Sequence, residues 1–81
     1  MKKITICDYM GNEKKVYLDL SKISVIMKYV ILGDEILEVF YKDGDRQWID
    51  SFDYNSGYNN GYRSHNFFDY SELVYSADME D

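Results

Sequence analysis

Ile23-Ser24-Val25-Ile26-Met27-Lys28-Tyr29-Val30-Ile31-Leu32 is the stretch on which the fold turns. It is the most hydrophobic run in the chain and is rich in Ile, Val and Tyr, which favour extended backbone over helix. No capping residue opens it as a helix would require. Alternation places Ile23, Val25, Met27, Tyr29 and Ile31 on one face and Ile26, Val30 and Leu32 on the other. Apolar residues on both faces predict a central strand, covered on two sides.

Outward from that run, the flanking segments also read as strands. Lys2 to Tyr9 alternates, with Ile4 and Ile6 opposite Thr5, Cys7 and Tyr9. Met10-Gly11-Asn12-Glu13 predicts a turn with Gly11 at positive φ, followed by a strand with Val16, Leu18 and Leu20 on one face. Downstream, Gly33-Asp34-Glu35 predicts the next turn. Leu37, Val39 and Tyr41 then face one way, and Glu38, Phe40 and Lys42 the other. Lys42-Asp43-Gly44-Asp45 is the strongest hairpin signal, since Asp-Gly fits a type I′ turn. Gln47 to Phe52 completes the set, with Trp48 and Phe52 opposite Ile49.

The expected fold is α+β: a five-stranded antiparallel meander over 1–52, open to curling into an SH3-like partial barrel, then a loop and a C-terminal helix. The helix is expected over 67–81, capped by Asn66 or Asp69 and running to about Met79. Phe68, Glu72, Tyr75 and Met79 form one helical stripe, and Phe67, Tyr70, Val74 and Ala77 its neighbour. The alternative is a sixth strand through Glu72-Leu73-Val74-Tyr75.

Between these lies 53–66, which contains Tyr54-Asn55-Ser56-Gly57-Tyr58-Asn59-Asn60-Gly61-Tyr62. Tyrosine beside asparagine and glycine supplies rigid amphipathic rings and adaptable amides, the composition of a binding loop. The competing readings are a cover over the sheet and a disordered linker. In the binding reading, Tyr54, Tyr58 and Tyr62 are anchors, and Asn55, Asn59 and Asn60 are hydrogen-bonding partners.

At 81 residues the chain makes a single domain that buries roughly 60 % of its unfolded surface, so its stability is marginal. Cys7 and His65 are the sole cysteine and histidine, which excludes an intrachain disulfide and thiolate or Cys/His zinc sites. Asp53 and Asn55 suggest a calcium loop, but its glycine is misplaced and Ser64 stands where the bidentate glutamate belongs. No cofactor is expected. No pair of carboxylates is singled out for acid–base work, and Cys7 has no histidine near it in sequence, so no catalysis is expected. No apolar run reaches the ~20 residues of a membrane span. Asp8 arrives before a signal-peptide core can form, so the expectation is a cytoplasmic protein away from membranes.

The charge is uneven. Residues 1–31 carry six lysines against three acids, whereas 32–81 carry three bases against twelve acids, and the total is −6. Direct binding of nucleic acid is disfavoured, and a protein with a basic, nucleic-acid-binding surface is the expected partner. The acids placed for that role are Asp43, Asp45 and Asp50 around one hairpin, extended by Asp53, Asp69 and Glu72, with Asp78, Glu80 and Asp81 beyond.

In its size, acidity and Lys/Ile/Asn/Asp-rich, tyrosine-rich vocabulary, the chain resembles small inhibitors encoded by phages and mobile elements, anti-CRISPR proteins among them. The resemblance spans the chain in style and rests on no motif. It implies stoichiometric, non-catalytic binding to a host nuclease or effector in the bacterial cytosol, by imitation of nucleic acid in several such proteins. The alternative function is an assembly subunit, dimeric or larger, that self-associates through its sheet.

Replacing Tyr54, Tyr58 and Tyr62 together by serine separates the readings of the loop. The binding reading expects loss of partner capture with an unchanged far-UV circular dichroism spectrum, and loss of that spectrum would assign the rings to the core.

Overall fold

The computed structural model describes residues 1–51 and 70–79. They form six strands: β1 Lys2–Cys7, β2 Glu13–Leu18, β3 Ile23–Ile31, β4 Asp34–Tyr41, β5 Arg46–Asp50 and β6 Tyr70–Ser76. Short 3-10 turns cover Leu20–Lys22 and Ala77–Met79. All pairings are antiparallel, in a two-stranded sheet β1-β2 and a four-stranded sheet ordered β5-β4-β3-β6. The domain is therefore small and β-rich.

The expected single meander is instead two layers, because the chain changes sheet after β2. Asp19 caps the Leu20–Lys22 turn, its Oδ1 accepting from Ser21 N at 3.1 Å and Ser21 Oγ at 2.7 Å. The turn carries the chain out of the hairpin and into β3 without a β2–β3 ladder. The ribbon then packs on the larger sheet through side chains: Ile4, Ile6, Val16 and Leu18 meet Ile23, Ile26, Leu37 and Val39 in one core. Full burial of each such side chain contributes about 1.5–3 kcal/mol.

β3 lies inside its sheet, as its two apolar faces require. Its strict alternation does not survive. Ile23 pairs with Tyr41 and Val25 with Phe40, so Ser24 is an extra residue, and its Oγ donates to the Phe40 carbonyl at 3.1 Å. This bulge turns Ile23 and Ile26 to the same core, although period two sets them apart.

The expected C-terminal helix is also replaced: residues 70–76 form β6, hydrogen-bonded to β3 on the side away from β4. The helical stripe over those residues serves a bulged strand equally well. Ile26 pairs with Tyr75 but Met27 with Leu73, so Val74 is the extra residue, and the consecutive Val74 and Tyr75 both pack on the core. Residues 67–69 lie outside the described part of the chain.

The Asp-Gly turn is not the expected type I′. At the Asp-Gly site Asp43 has negative φ, and only Gly44 is positive, at φ 98. Gly44 N donates to Tyr41 O and Tyr41 N to Asp45 O, the pattern of a type I turn closed by a glycine bulge. The two-residue turn with positive φ at both positions is Leu32-Gly33, at φ 51 and 87 between Ile31 and its partner Asp34. The Asp-Gly pair thus makes a looser turn than expected, and leucine occupies a conformation that disfavours branched or bulky side chains.

Gly33 and Gly44 both need positive φ, but only Gly33 is crowded: an added Cβ would lie 2.9 Å from Tyr9 Cβ, whereas at Gly44 it meets nothing within 4 Å. Gly44→Ala is expected to cost about 1–2 kcal/mol from backbone strain alone. Gly33→Ala adds displacement of the β1–β2 ribbon and is expected to cost about 3 kcal/mol or more. Urea denaturation of the two variants measures the difference.

Candidate interaction surface

Among the described residues, the sequence-selected acids do not form one patch. Asp43 and Asp45 are exposed on the β4–β5 turn, where Asp43 Oδ1 accepts from Asp45 N at 2.9 Å. Asp50 is 6 % exposed, so its carboxylate is not part of the surface, and its carbonyl accepts from Lys14 Nζ at 3.1 Å. Glu72 is half-buried at the other end of the sheet and tied into an ion network. Tyr54, Asn55, Tyr58, Asn59, Asn60 and Tyr62 lie outside the described residues, as do Asp53 and Asp69.

What brings Asp43 and Asp45 together with a third acid is β3 itself. Tyr41, just before the β4–β5 turn, pairs with Ile23 at the start of β3. Ser76 pairs with Val25, and the following Ala77–Met79 turn places the exposed Asp78 at the same end. Lys22, Lys42 and Arg46 share this end, so its charge is mixed.

Many of the other acids hold the fold. Glu35 Oε1 accepts from Cys7 N at 2.6 Å, and Asp34 Oδ1 from Tyr9 N at 2.8 Å, so two carboxylates at the start of β4 satisfy the end of β1. Asp8 closes its own turn by accepting from Met10 N, Asn12 N and Asn12 Nδ2. Burial pushes the Asp8 carboxyl up, but hydrogen bonds from Asn12, Met10 and Gly11 outweigh it and hold the group below its ordinary range. Glu38 is 5 % exposed on the opposite sheet face, accepting from Tyr29 Oη at 2.8 Å with Arg46 3.4 Å away. Burial and then Glu38 push the Tyr29 phenol up to about 12. The Tyr29 and Trp48 rings, 5.7 Å apart, pack against Ile31 and Ile36 on that face.

Lys28 binds Glu72 at 2.6 Å and Glu35 at 3.6 Å, and Tyr70 Oη donates to Glu72 at 2.8 Å. This network crosses β6, β3 and β4 on the ribbon side of the sheet. Glu72 is held below the usual carboxylate range by Lys28 first and Tyr70 second, and Lys28 is raised chiefly by Glu72. The Cys7 thiol is pushed up by burial and then by Glu35, Glu13 and Asp8, which leaves it a poor nucleophile.

The surface that sequence reading missed is built from two turns. Tyr9 Cβ lies against Gly33, and Tyr9, Met10 and Leu32 are 64 %, 68 % and 68 % exposed. Tyr70, also exposed, begins β6 opposite Val30, two residues before Leu32. The available signal was an apolar residue directly before a glycine at the end of a strand. Reading the turn as Gly33-Asp34-Glu35 counted Leu32 as strand and hid it.

Among the described residues no group of three His, Cys, Asp or Glu side chains is arranged to hold a metal ion, and no helix is long and apolar enough to cross a membrane. No family model matches the chain, and neither a curated protein nor a solved structure matches it.

The Glu72 shift fixes the sign of one pH effect. Its folded pKa is depressed, so its contribution to stability is complete above the ordinary glutamate value near 4.5 and is lost as pH falls through the lower folded value. Glu72→Gln is expected to lower stability at pH 7 and to flatten the fall of stability below pH 4.5. Urea midpoints measured across that range test it; an unchanged acid profile would remove the network from the stability balance.

Proposed function

We propose that this protein is a non-catalytic binding protein, of the kind phages and mobile elements direct against host defence. It blocks a nuclease or effector by occupying a basic surface that otherwise holds nucleic acid. The observation that carries the reading is the charge: −6 on 81 residues, with acids outnumbering bases by nine after residue 31. A field of that sign speeds encounter with cationic surfaces and opposes binding to phosphate backbones.

Asp43, Asp45 and Asp78 support the reading as exposed acids at one end of the sheet, and Glu80 and Asp81 follow Asp78 in the chain. Glu35, Glu38 and Glu72 are already paired inside the domain, and Asp8 and Asp34 accept backbone hydrogens. Among the described residues the exposed acids support a diffuse negative field more than a string of phosphate-like groups. Attraction of this type gives rate and partner choice more than affinity.

The expected behaviour is capture of a basic protein from a bacterial lysate at low salt, with nucleic acid competing for it. Raising ionic strength shortens the reach of the field to ~3 Å at 1 M, so capture is expected to be lost there. Asp43→Lys with Asp45→Lys is expected to weaken capture at low salt. A complex indifferent to salt would sink the electrostatic reading.

A further inference from the structure

We propose that two copies of this chain pair through the end at which the ribbon joins the larger sheet. Tyr17 of each copy enters a hollow beside the β4–β5 turn of the other, with Lys3 and Lys15 set against Asp43 and Asp45. The inference stands apart from the functional reading above.

The outer face of the ribbon supplies one half of the contact. β1 and β2 pair without a bulge, and Ile4, Ile6, Val16 and Leu18 turn to the core. Lys3, Thr5, Cys7, Glu13, Lys15 and Tyr17 therefore share the opposite face. Tyr17 is 59 % exposed there. Lys3 stands directly opposite it, and Lys15 lies two residues along β2, diagonal to Lys3 at about 7–8 Å. Both lysines are exposed, and among the described residues neither is in an ion pair. Glu13, the acid of this face, stands at its far end opposite Cys7. An exposed ring beside two unpaired ammonium groups complements a surface with acids and a concavity.

The other half lies close by on the same molecule. From Tyr17 the chain passes through Leu18 and Asp19 into the Leu20–Lys22 turn, where Lys22 O accepts from Lys42 N at 2.9 Å. Beside that bond is a hollow of about 300 Å³, lined by Ser21, Lys22, Tyr41, Lys42 and Asp43. It is large enough to take one aromatic ring. Tyr41 offers that ring an aromatic neighbour, and Lys22 and Lys42 offer cations that suit its face. The exposed Asp43 and Asp45 on the adjoining turn receive the lysines that flank it.

This placement selects a second copy as the occupant. Ring and hollow sit at one end of the molecule, so a two-fold axis makes each contact twice and closes the pair. A nucleic-acid strand would meet only two lysines on this face, too few to hold its phosphates. The −6 on each copy is screened beyond ~8 Å at physiological salt, whereas the lysines and aspartates face each other in contact. The pair hides Asp43 and Asp45, so it and a basic partner exclude one another.

Sedimentation equilibrium of the whole chain at physiological salt, from micromolar to millimolar concentration, tests the proposal. The mass is expected to rise from monomer to dimer, and Tyr17→Ser to weaken the dimer about tenfold. Lys3→Glu with Lys15→Glu is expected to stay monomeric, as is Asp43→Lys with Asp45→Lys. Mixed, these two variants are expected to pair again, because each offers the charge the other needs. Circular dichroism checks that they fold, and Tyr17→Ser, at an exposed position, carries the test if either does not. A wild-type monomer throughout, a dimer indifferent to Tyr17→Ser, or folded charge variants that stay apart when mixed would overturn the proposal. Growth past the dimer would overturn the two-fold closure. Oligothymidine and oligoglutamate are followed in parallel by amide chemical shifts. Movement of the Lys3, Lys15 and Tyr17 signals with either, in a chain that stays monomeric, would assign the face to that partner and overturn the pair. Capture of a basic protein is read in a separate assay, so the two proposals fail independently.

Discussion

A two-stranded ribbon is marginal by itself in water, and β1–β2 has no ladder to the larger sheet. Its attachment is the constraint on which the structure depends. One part is apolar: the ribbon's four inward side chains meet the face made by Ile23, Ile26, Leu37 and Val39. The other part is polar, with the Cys7 and Tyr9 amides donating to Glu35 and Asp34. An amide held by a carboxylate makes a charge-assisted bond, stronger than a neutral one. Both carboxylates begin β4, immediately after Leu32-Gly33, so the strained turn sets where the clamp sits.

The same clamp explains why acidity misled as a guide to surface. A negative composition suggests a solvated or partner-facing display. In this domain, carboxylates replace a ladder that the topology does not supply, close the Asp8 turn, cap Leu20–Lys22 and join β3 to β6 through Lys28. Local sequence gives the charge of Glu35 or Glu38 but not the identity of the amide, hydroxyl or guanidinium it meets across the fold.

Five of the six strands were legible because alternation is local. Ile4 and Ile6, Val16 and Leu18, and Leu37 and Val39 all face the core as their spacing indicates. Trp48 and Ile49 take opposite faces of β5 for the same reason, Ile49 toward the main core and Trp48 toward Ile31. What failed was non-local. Neither bulge is visible in the sequence, because Ser24 and Val74 are extra only relative to their partner strands. For β6 the helix was the first reading and a strand through Glu72-Leu73-Val74-Tyr75 the alternative, because its partner β3 lies far away in the chain and a bulged strand mimics helical spacing over a few residues. The Asp-Gly turn shows the converse. Its sequence permits type I′, but a type I turn with a glycine bulge also places one glycine at positive φ, and the register of β4 with β5 accommodates it.

The candidate surface was less legible still, since it is defined by a cost rather than by a motif. Leu32 is unremarkable as a residue type; its backbone conformation and exposure mark it. The clamp and the exposed Tyr9, Met10 and Leu32 share one backbone, with Gly33 between Leu32 and Asp34 and Tyr9 between Asp8 and Met10. The bonds that dock the ribbon therefore also stiffen the residues presented to solvent. Asp34, Glu35 and Asp8 are therefore needed for the fold whatever the protein binds. Shape and stability at this end thus come from the same few carboxylates, in a fold too small to have much stability to spare.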